Sequence, residues 1–430
     1  MHHLNVETQY SAASAAEQVP LTGKRVVAIQ YASYLHPRPR MAAEALAEAG
    51  ATVEMICLRE TEEEPEHESL NGVHITRVPM QHLRGGKLSY FLRYGMFILL
   101  SGWIVTRRGW KQRYDLVHVH NMPDILVFSA LVPKLLGAKI ILDLHDPMPE
   151  LMITIFGLTE GSCWVRLLKK LERWSIGFAD AVLTVNEACK KMFSARSCPP
   201  EKITVVMNSP YERTFHDREP SRQNVAARDK SKPFVLMYNG TLVERHGLDL
   251  AVTALGKTRA SIPSAQLRVY GRSTPFLQQV MKSLGESELS EAVRYLGSRN
   301  LEGIAEAIGE CDVGIIPNRR SVFTEINTPT RIFEFLSQGK PVIAPRVPGV
   351  LDYFGPQELV FFELGDADDL AAKMEYVFRH PEEMVGIVER GQQVYRAHRW
   401  SSERLRFVGL VSRLLKVAPL PAATSEKNQA

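Results

Sequence analysis

Residues 327–349, NTPTRIFEFLSQGKPVIAPRVPG, combine residue types and spacing suited to binding a phosphorylated ligand. A proline near the start of a predicted helix leaves backbone N–H groups and the positive end of the helix dipole available to an anion. Arg331, in the first turn, can add a charge-assisted hydrogen bond to a phosphate. Glu334, one turn later, can accept two hydrogen bonds from the diol of a ribose. Spacing alone favours an alternative, an intrahelical ion pair between these two side chains on a solvated face.

Further polar side chains follow the apolar run of residues 138–144. His145 and Asp146 come directly after it, and open α/β sheets bind their ligands beyond the carboxyl ends of the strands. Asp146 and Glu150 can orient the hydroxyl groups of a ligand. A lone histidine after a strand is more often structural, so the residue type alone does not assign His145 a role.

His118 and His120 lie two residues apart on one predicted strand and therefore share a face. The sequence places no further metal ligand beside them, and no DxD-type diacid motif for Mg²⁺ or Mn²⁺ is apparent. We therefore predict packing or hydrogen-bonding roles for the two histidines and no metal site.

Two similar series of strands and helices position these side chains. In the first, the strand-like run KRVVAIQY is followed by a loop, the helical MAAEALAEAG and the strand-like ATVEMICL, which together predict a βαβ unit and a parallel sheet. A second series restarts with PFVLMYNG. We predict an α/β protein with two Rossmann-like domains facing a central cleft. The predicted segments are a disordered tail 1–20, an N-terminal domain 21–208, a linker 209–232, a C-terminal domain 233–398, a helix 399–417 and a disordered tail 418–430.

Composition sets limits on the class of protein. The chain has 430 residues, 45% of them hydrophobic and 23% charged, which allows two globular domains. A net charge of +4 does not indicate nucleic-acid binding. Five scattered cysteines and the lack of a hydrophobic signal-peptide core favour a reducing compartment, so we expect cytoplasmic residence.

The ordered motifs resemble one family. The run T-P-x-[KR]-[IL]-F-E-[FY]-x-x-x-G-K-P-V-I-A is similar to the donor-site helix of retaining GT-B glycosyltransferases of family 4, and the resemblance extends through DLVHVHNMPD, ILDLHDPMPE, VVMNSP and YNGTLVERHGLDL. It implies transfer of a hexose from a UDP- or GDP-sugar to a glycan or lipid-linked saccharide, with retention of the anomeric configuration. It also implies no metal and no cofactor besides the donor. The expected setting is polysaccharide or glycoconjugate biosynthesis.

The resemblance assigns the donor side residue by residue. Glu334 matches the second glutamate of the family's Glu-x7-Glu motif, which binds the ribose, whereas the first falls at Ile326, with Glu325 one residue away. The segment GTLVERHG matches a loop that binds the diphosphate; Thr241 replaces its arginine and His246 its lysine, which leaves Arg245 for that role. The remaining predicted donor-binding residues are Gly240, Arg331, Thr328 and, beside the base, Arg299.

The same resemblance places the transferred sugar beside His145, and we predict His145 and Asp146 as the catalytic residues. Asn208 resembles the asparagine at the interdomain crossing. The predicted acceptor-side residues are Arg38, Arg40, Asn121 and Glu150. For Arg38 and Arg40 the loop YLHPRPR leaves two interpretations open, contact with donor phosphate or acceptor and a turn shaped by the prolines.

Residues 83–113 are basic and apolar and carry no carboxylate. Their longest apolar stretch, residues 94–106, is shorter than the ~20 residues that span a bilayer. One interpretation is a core helix with basic ends in water; the other, slightly favoured, is an interfacial helix on an anionic membrane, which implies a peripheral position at the inner face of the plasma membrane.

Two other functions are compatible with this fold. A nucleotide-sugar epimerase would keep the architecture but change the chemistry, and the TPTRIFE helix argues against it. A non-catalytic GT-B subunit that binds a partner transferase would explain Thr241 and Ile326, but His145, Arg245 and Glu334 weigh against it.

Overall fold

The computed structural model describes residues 21–80, 87–220, 232–285 and 287–417, with the side chains of residues 87–91 left out. The predicted tails 1–20 and 418–430, residues 221–231 of the predicted linker 209–232 and residues 83–86 of the basic segment lie outside the described residues.

Two sheets organise the described part of the chain. The first has the strand order β3-β4-β2-β1-β5-β6-β7-β8, and the second has the order β11-β10-β9-β12-β13-β14. The strands are β1 (Arg25–Ile29), β2 (Thr52–Leu58), β3 (His67–Leu70), β4 (Val73–Val78), β5 (Leu116–His120), β6 (Lys139–Leu144), β7 (Ala181–Thr184), β8 (Ile203–Val205), β9 (Phe234–Asn239), β10 (Ala265–Tyr270), β11 (Val293–Tyr295), β12 (Val313–Ile315), β13 (Val342–Pro345) and β14 (Val360–Phe362).

Helices cover both faces of each sheet. Those of the first half are α1 (Pro37–Glu48), α2 (Lys87–Lys111), α3 (Leu131–Leu135), α4 (Met148–Phe156), α5 (Cys163–Phe178) and α6 (Glu187–Arg196). Those that follow are α7 (Leu248–Thr258), α8 (Pro275–Leu284), α9 (Glu288–Ala292), α10 (Leu301–Glu310), α11 (Val322–Ile326), α12 (Thr330–Ser337), α13 (Pro348–Leu351), α14 (Ala367–Arg379), α15 (Pro381–Ala397) and α16 (Trp400–Leu414). Short 3₁₀ helices span Asp124–Ala130, Pro200–Lys202 and Glu244–His246.

Pairing within the sheets is parallel except between β3 and β4, which are antiparallel. Because parallel strands are covered on both faces, they are apolar on both sides. In β1, Val27 and Ile29 pack into one core cluster, whereas Val26 and Ala28 pack into another on the opposite face. The two Rossmann-like domains predicted from the sequence are thus confirmed.

Helix α16 returns from the second half of the chain to the first sheet. Its buried residues Phe407 and Val411 belong to the same core cluster as Val26 and Ala28. Buried Glu403 accepts a hydrogen bond from the backbone N of Met207, at 3.0 Å. Helix α16 therefore packs on the first domain, as predicted.

Candidate active site

The carboxyl ends of the two sheets are held close together. Asn186, the N-cap of α6, follows β7 of the first sheet, and its Nδ2 donates to the Ile326 carbonyl at 2.9 Å and to Thr328 Oγ1 at 3.1 Å. Thr328 Oγ1 in turn donates to the Gly349 carbonyl. Helix α4, which follows β6, packs against α11 of the second half. The loops after the strands of both domains therefore border one cleft.

Asn239, the last residue of β9, holds both predicted ligand-binding side chains of α12. Its Nδ2 donates to Glu334 Oε2 at 2.9 Å, and its carbonyl accepts from Arg331 Nη1 at 2.6 Å. The Arg331 guanidinium also lies 5.1 Å from the centre of the Tyr238 ring. No ion pair joins Arg331 and Glu334 among the described residues, so the plainer alternative of an isolated intrahelical pair does not describe them.

The electrostatics of Glu334 suit a polar ligand. Burial raises the pKa of its carboxyl group, while the Asn239 hydrogen bond and the Arg331 charge oppose that rise. Within the described residues Asn239 is the only hydrogen-bond partner of this carboxylate. One oxygen, Oε1, is therefore left to accept hydrogen bonds from hydroxyl groups.

Close backbone approach shapes the loop between β9 and α7. Gly247 has a φ of +67°, and a Cβ there would lie 1.8 Å from the carbonyl oxygen of Pro317. Gly240, with a φ of +132°, packs under Arg331, whose Nη1 would lie 3.2 Å from an added Cβ. Glycine is required at Gly247 because any side chain would collide with backbone.

Arg245, in the 3₁₀ turn Glu244–His246, keeps a donor free. Its Nε is buried and has no hydrogen-bond partner in the described part of the chain. Burial lowers the pKa of the guanidinium, and the opposing influence of Asp146 shows that this carboxylate of the first domain is close enough to interact with it. A buried cationic donor without a partner destabilises the folded protein unless a ligand pairs with it.

His246 cannot provide the positive charge of the lysine that it replaces. Its Nδ1 lies 2.9 Å from the carbonyl of Thr241. Burial, together with the charges of Arg331 and Arg245, lowers the pKa of His246 to about 3. The imidazole is therefore neutral at physiological pH, and Arg245 supplies the charge of this loop.

Asn121 orients the backbone at His145 and Asp146. Its Oδ1 accepts from the backbone N of His145 at 3.1 Å, and its Nδ2 donates to the Asp146 carbonyl at 2.6 Å and to Asp124 Oδ1 at 3.0 Å. The Nδ1 atom of His145 is buried and has no hydrogen-bond partner among the described residues. Burial lowers the pKa of His145 below its ordinary value, so the ring is neutral.

His36 lies beside His145, with ring centres 5.7 Å apart. Partial removal from water and the neighbouring His145 lower the pKa of His36 to about 4. His36 precedes α1 at the carboxyl edge of the first sheet, but it was not predicted from the sequence as a site residue.

Arg38 is engaged inside the first domain. Its Nε donates to both carboxylate oxygens of Asp143, at 2.9 and 3.0 Å, and its Nη1 donates to the Val206 carbonyl and to Asn208 Oδ1, at 2.7 and 2.9 Å. Arg38 therefore ties the loop after β1 to the start of the interdomain connection. Arg40 lies 5.4 Å from the Tyr211 ring and 3.7 Å from Glu44.

Asp143 also approaches the two histidines of β5, which sequence reasoning left without a metal-ligand neighbour. Asp143 Oδ2 lies 3.6 Å from His118 Nε2 and 3.3 Å from His120 Nδ1, and these three buried groups could hold a metal ion by distance. Burial alone would raise the pKa of Asp143, but Arg38 and the histidines hold it well below its ordinary value. Because Arg38 already compensates this carboxylate, a second cation beside it is electrostatically disfavoured.

Three other predicted residues have local partners or lie on the surface. Both oxygens of Glu150 accept from Arg196, at 2.5 and 3.0 Å. Glu325, which the sequence places next to the expected glutamate position, forms an ion pair with Arg320 at 3.1 Å. Arg299 is exposed, and its charge acts on the nearby Tyr270.

Comparison with known proteins identifies the family. Residues 35–209 match the glycosyl transferase 4-like domain, and residues 218–394 match the glycosyl transferases group 1 family. The chain belongs to the GT-B glycosyltransferases. A search of curated protein sequences finds no significant match to this glycosyltransferase.

Solved structures share the fold of this glycosyltransferase. Sucrose-phosphate synthase from Thermosynechococcus elongatus matches with a TM-score of 0.72 and 18% identity, over 92% of this chain and 100% of the other. HepE from Anabaena in complex with UDP-glucose matches with a TM-score of 0.66 and 12% identity, over 90% and 99%. The catalytic domain of starch synthase IV from Arabidopsis thaliana, bound to ADP and acarbose, matches with 0.66 and 16%, over 91% and 99%.

Proposed function

We propose that this glycosyltransferase moves a hexose from a UDP- or GDP-linked sugar to a saccharide or lipid-linked acceptor with retention of the anomeric configuration. The observation that carries the proposal is the joint orientation of Glu334 and Arg331 by Asn239 at the carboxyl end of β9. This arrangement offers a diol acceptor and a fixed cation at one sheet edge, which suits a nucleoside diphosphate. The bound UDP-glucose of Anabaena HepE supports a nucleotide-sugar donor.

In the proposed donor complex, Glu334 accepts the ribose hydroxyls and Arg245 binds the diphosphate. Arg331, the backbone at Gly240 and Thr241, and the Thr328 region complete the donor site, and Arg299 lies towards the base. As the bond between the anomeric carbon and the diphosphate oxygen breaks, negative charge grows on the leaving group. A preoriented guanidinium stabilises that charge, since its unpartnered Nε needs no reorganisation.

On the other side of the cleft, the neutral ring of His145 and the side chain of Asp146 lie beside the hexose. The acceptor oxygen attacks the face that the diphosphate leaves, and its proton passes to the departing phosphate oxygen. Such a same-face substitution retains the anomeric configuration without an enzyme nucleophile, and we assign none. Asn121 keeps the backbone at His145 in position, and Arg38, Arg40 and Glu150 position the surrounding loops through their partners.

A thermal-shift screen with UDP, GDP, ADP and their hexose derivatives tests the donor assignment. A ligand that binds only the native state raises the melting temperature, by an amount set by its concentration relative to its dissociation constant. We expect UDP or GDP and the corresponding sugar to raise it. No shift with any nucleotide would favour a non-catalytic GT-B subunit instead.

A further inference from the structure

Helix α2 is apolar on both of its faces. Its inner face, with Phe97 and Val105, is buried in the core of the first domain. Its outer face carries large apolar side chains three or four residues apart from Leu92 to Trp103, and Trp110 follows two turns later. Leu99 and Trp110 are 75% and 74% exposed. A helix that is apolar all round requires a second apolar environment besides the core.

Helix α5 repeats this arrangement. Val165 and Ile176 are buried on its inner face. Trp164 and Trp174, on the outer face, are 61% and 53% exposed, and exposed Leu167 lies between them in the sequence. Tryptophans at such exposure are uncommon on a surface that meets only water, and contiguous apolar patches mark binding surfaces.

The two helices belong to one layer. The 3₁₀ helix Asp124–Ala130 packs against both α2 and α5, and α4 packs against α5. Lys134, on α3, donates to the carbonyl of Phe178 at the end of α5. We call the outer faces of α2 and α5, together with exposed Ile155 and Phe156 at the end of α4, the docking face.

The docking face is strongly basic. Between them, α2 and α5 carry one carboxylate, Glu172, which is buried and bonded to Arg196. Two of the cations stack on exposed tryptophans: the Arg107 guanidinium lies 5.4 Å from the Trp103 ring centre, and Lys170 Nζ lies 4.8 Å from that of Trp174. Tryptophan beside lysine or arginine is typical of the interface between bilayer and water.

The charge of the docking face distinguishes between a membrane and a second copy of the chain as its binding partner. Basic side chains around an apolar centre complement the negative surface of an anionic leaflet. A second copy of the same face would instead bring like charges together. No helix in the described ranges is long and apolar enough to cross a bilayer, so the contact is with the surface of the membrane.

Helix α4 links the docking face to the cleft. It begins at Met148, two residues after Asp146, and ends at Phe156, whose side chain is exposed on the docking face. Nine residues of α-helix cover roughly 13 Å. An acceptor with its lipid chain in the bilayer would therefore need only a short saccharide head to reach His145.

We propose that the docking face binds the surface of an anionic lipid bilayer, and that the acceptor is an amphiphilic lipid-linked saccharide that enters the cleft along α4. The part about the acceptor rests on the proposed transferase function. The surface includes α5 and the end of α4, and so extends well beyond residues 83–113.

Flotation of the full chain with lipid vesicles tests the docking face. Binding to phosphatidylcholine vesicles should be weak, and binding to mixed phosphatidylcholine and phosphatidylglycerol vesicles should be strong and reduced by salt. The double variant Trp164→Ser, Trp174→Ser should weaken it about tenfold or more. Leu405→Ser is the matched control, since Leu405 is exposed on α16, which packs on the opposite face of the first sheet.

A charge reversal provides a second variant that leaves the tryptophans in place. Lys170→Glu should weaken binding to the anionic vesicles by about tenfold. Arg294→Glu, at an exposed position of β11 in the second domain, should leave it unchanged. Melting curves of each variant separate lost binding from lost folding.

Wild-type protein that does not bind the anionic vesicles, or tryptophan and control variants with equal binding, would overturn the docking face. A dimer that the tryptophan variant abolishes, without vesicle binding, would replace lipid by a second copy. An assay of nucleotide release from the donor, without vesicles, distinguishes failure of the docking face from failure of the proposed transferase function. Release without vesicle binding refutes only the docking face, whereas vesicle binding without release refutes only the transferase function.

Discussion

Replacing Glu334 by glutamine should weaken nucleotide binding through the loss of one charge. The Glu334 carboxylate uses Oε2 for Asn239 and leaves Oε1 for a ribose diol. Hydrogen bonds to a charged group contribute about 1.5–3 kcal/mol, which corresponds to roughly a ten- to 150-fold increase in the dissociation constant. Because glutamine preserves the shape and one acceptor oxygen, the contact with Asn239 should persist.

Isothermal titration with UDP and GDP measures this effect, and kinetics should show it as a higher KM for the donor with little change in kcat. The dideoxy form of the nucleotide, which lacks the diol, should bind wild type and Glu334→Gln equally. Glu325→Gln is the control, since that half-exposed carboxylate is paired with Arg320. Unchanged affinity of Glu334→Gln, or an equal loss in Glu325→Gln, would refute the assignment of the ribose to Glu334.

Four further predictions follow from the same geometry. Burial raises the pKa of Glu334, so acidification should protonate this carboxylate, and weaken nucleotide binding, at a higher pH than that at which an ordinary glutamate is protonated. Binding titrations at a series of pH values should show no such loss in Glu334→Gln. Arg245→Ala should lower kcat by about 10²–10³, and turnover equal to wild type would remove Arg245 from the diphosphate. His145→Ala should slow transfer about 100-fold or more while titration shows nucleotide binding nearly intact; an unchanged kcat would contradict its role. Gly247→Ala should destabilise the fold by about 3 kcal/mol or more, because an added Cβ collides with the Pro317 carbonyl. In calorimetry the control Gly177→Ala, in α5 with open space around it, should leave the stability unchanged.

The sequence predicts the architecture well because the strands are continuous apolar runs and the helices are amphipathic. Residues next to strand ends were therefore placed correctly at the sheet edges, as Gly240 and His145 show. Asn239 could have been identified by the same rule, since it ends β9 immediately before Gly240. A single asparagine carries no distinctive spacing, however, and its partners Arg331 and Glu334 lie more than ninety residues away.

The partners of charged side chains could not be predicted from the sequence. The sequence places Arg38 in a loop, yet its side chain reaches Asp143, 105 residues further along the chain. Glu150 likewise pairs with Arg196 on a different helix. Asp143 was read as part of an apolar strand, and its contact with His118 and His120 depends on the alignment of β5 with β6.

The sequence also could not predict which face of α2 is exposed. Its apolar periodicity predicted a helix, but both of its faces are apolar, so the pattern could not tell which face is buried. The structure buries Phe97 and leaves Trp103 exposed. The matching exposure of Trp164 on α5 was not anticipated, because α5 by itself is an ordinary amphipathic helix.

Nucleotide release from UDP- and GDP-hexoses by the purified protein, without acceptor, shows whether the cleft binds and activates a nucleotide-sugar donor. We expect slow hydrolysis of at least one of these donors, reduced by about 10²–10³ in Arg245→Ala and inhibited by the nucleotide that is released. If the wild-type protein releases nucleotide from none of them, or if Arg245→Ala is as active as wild type, the proposed donor site is wrong.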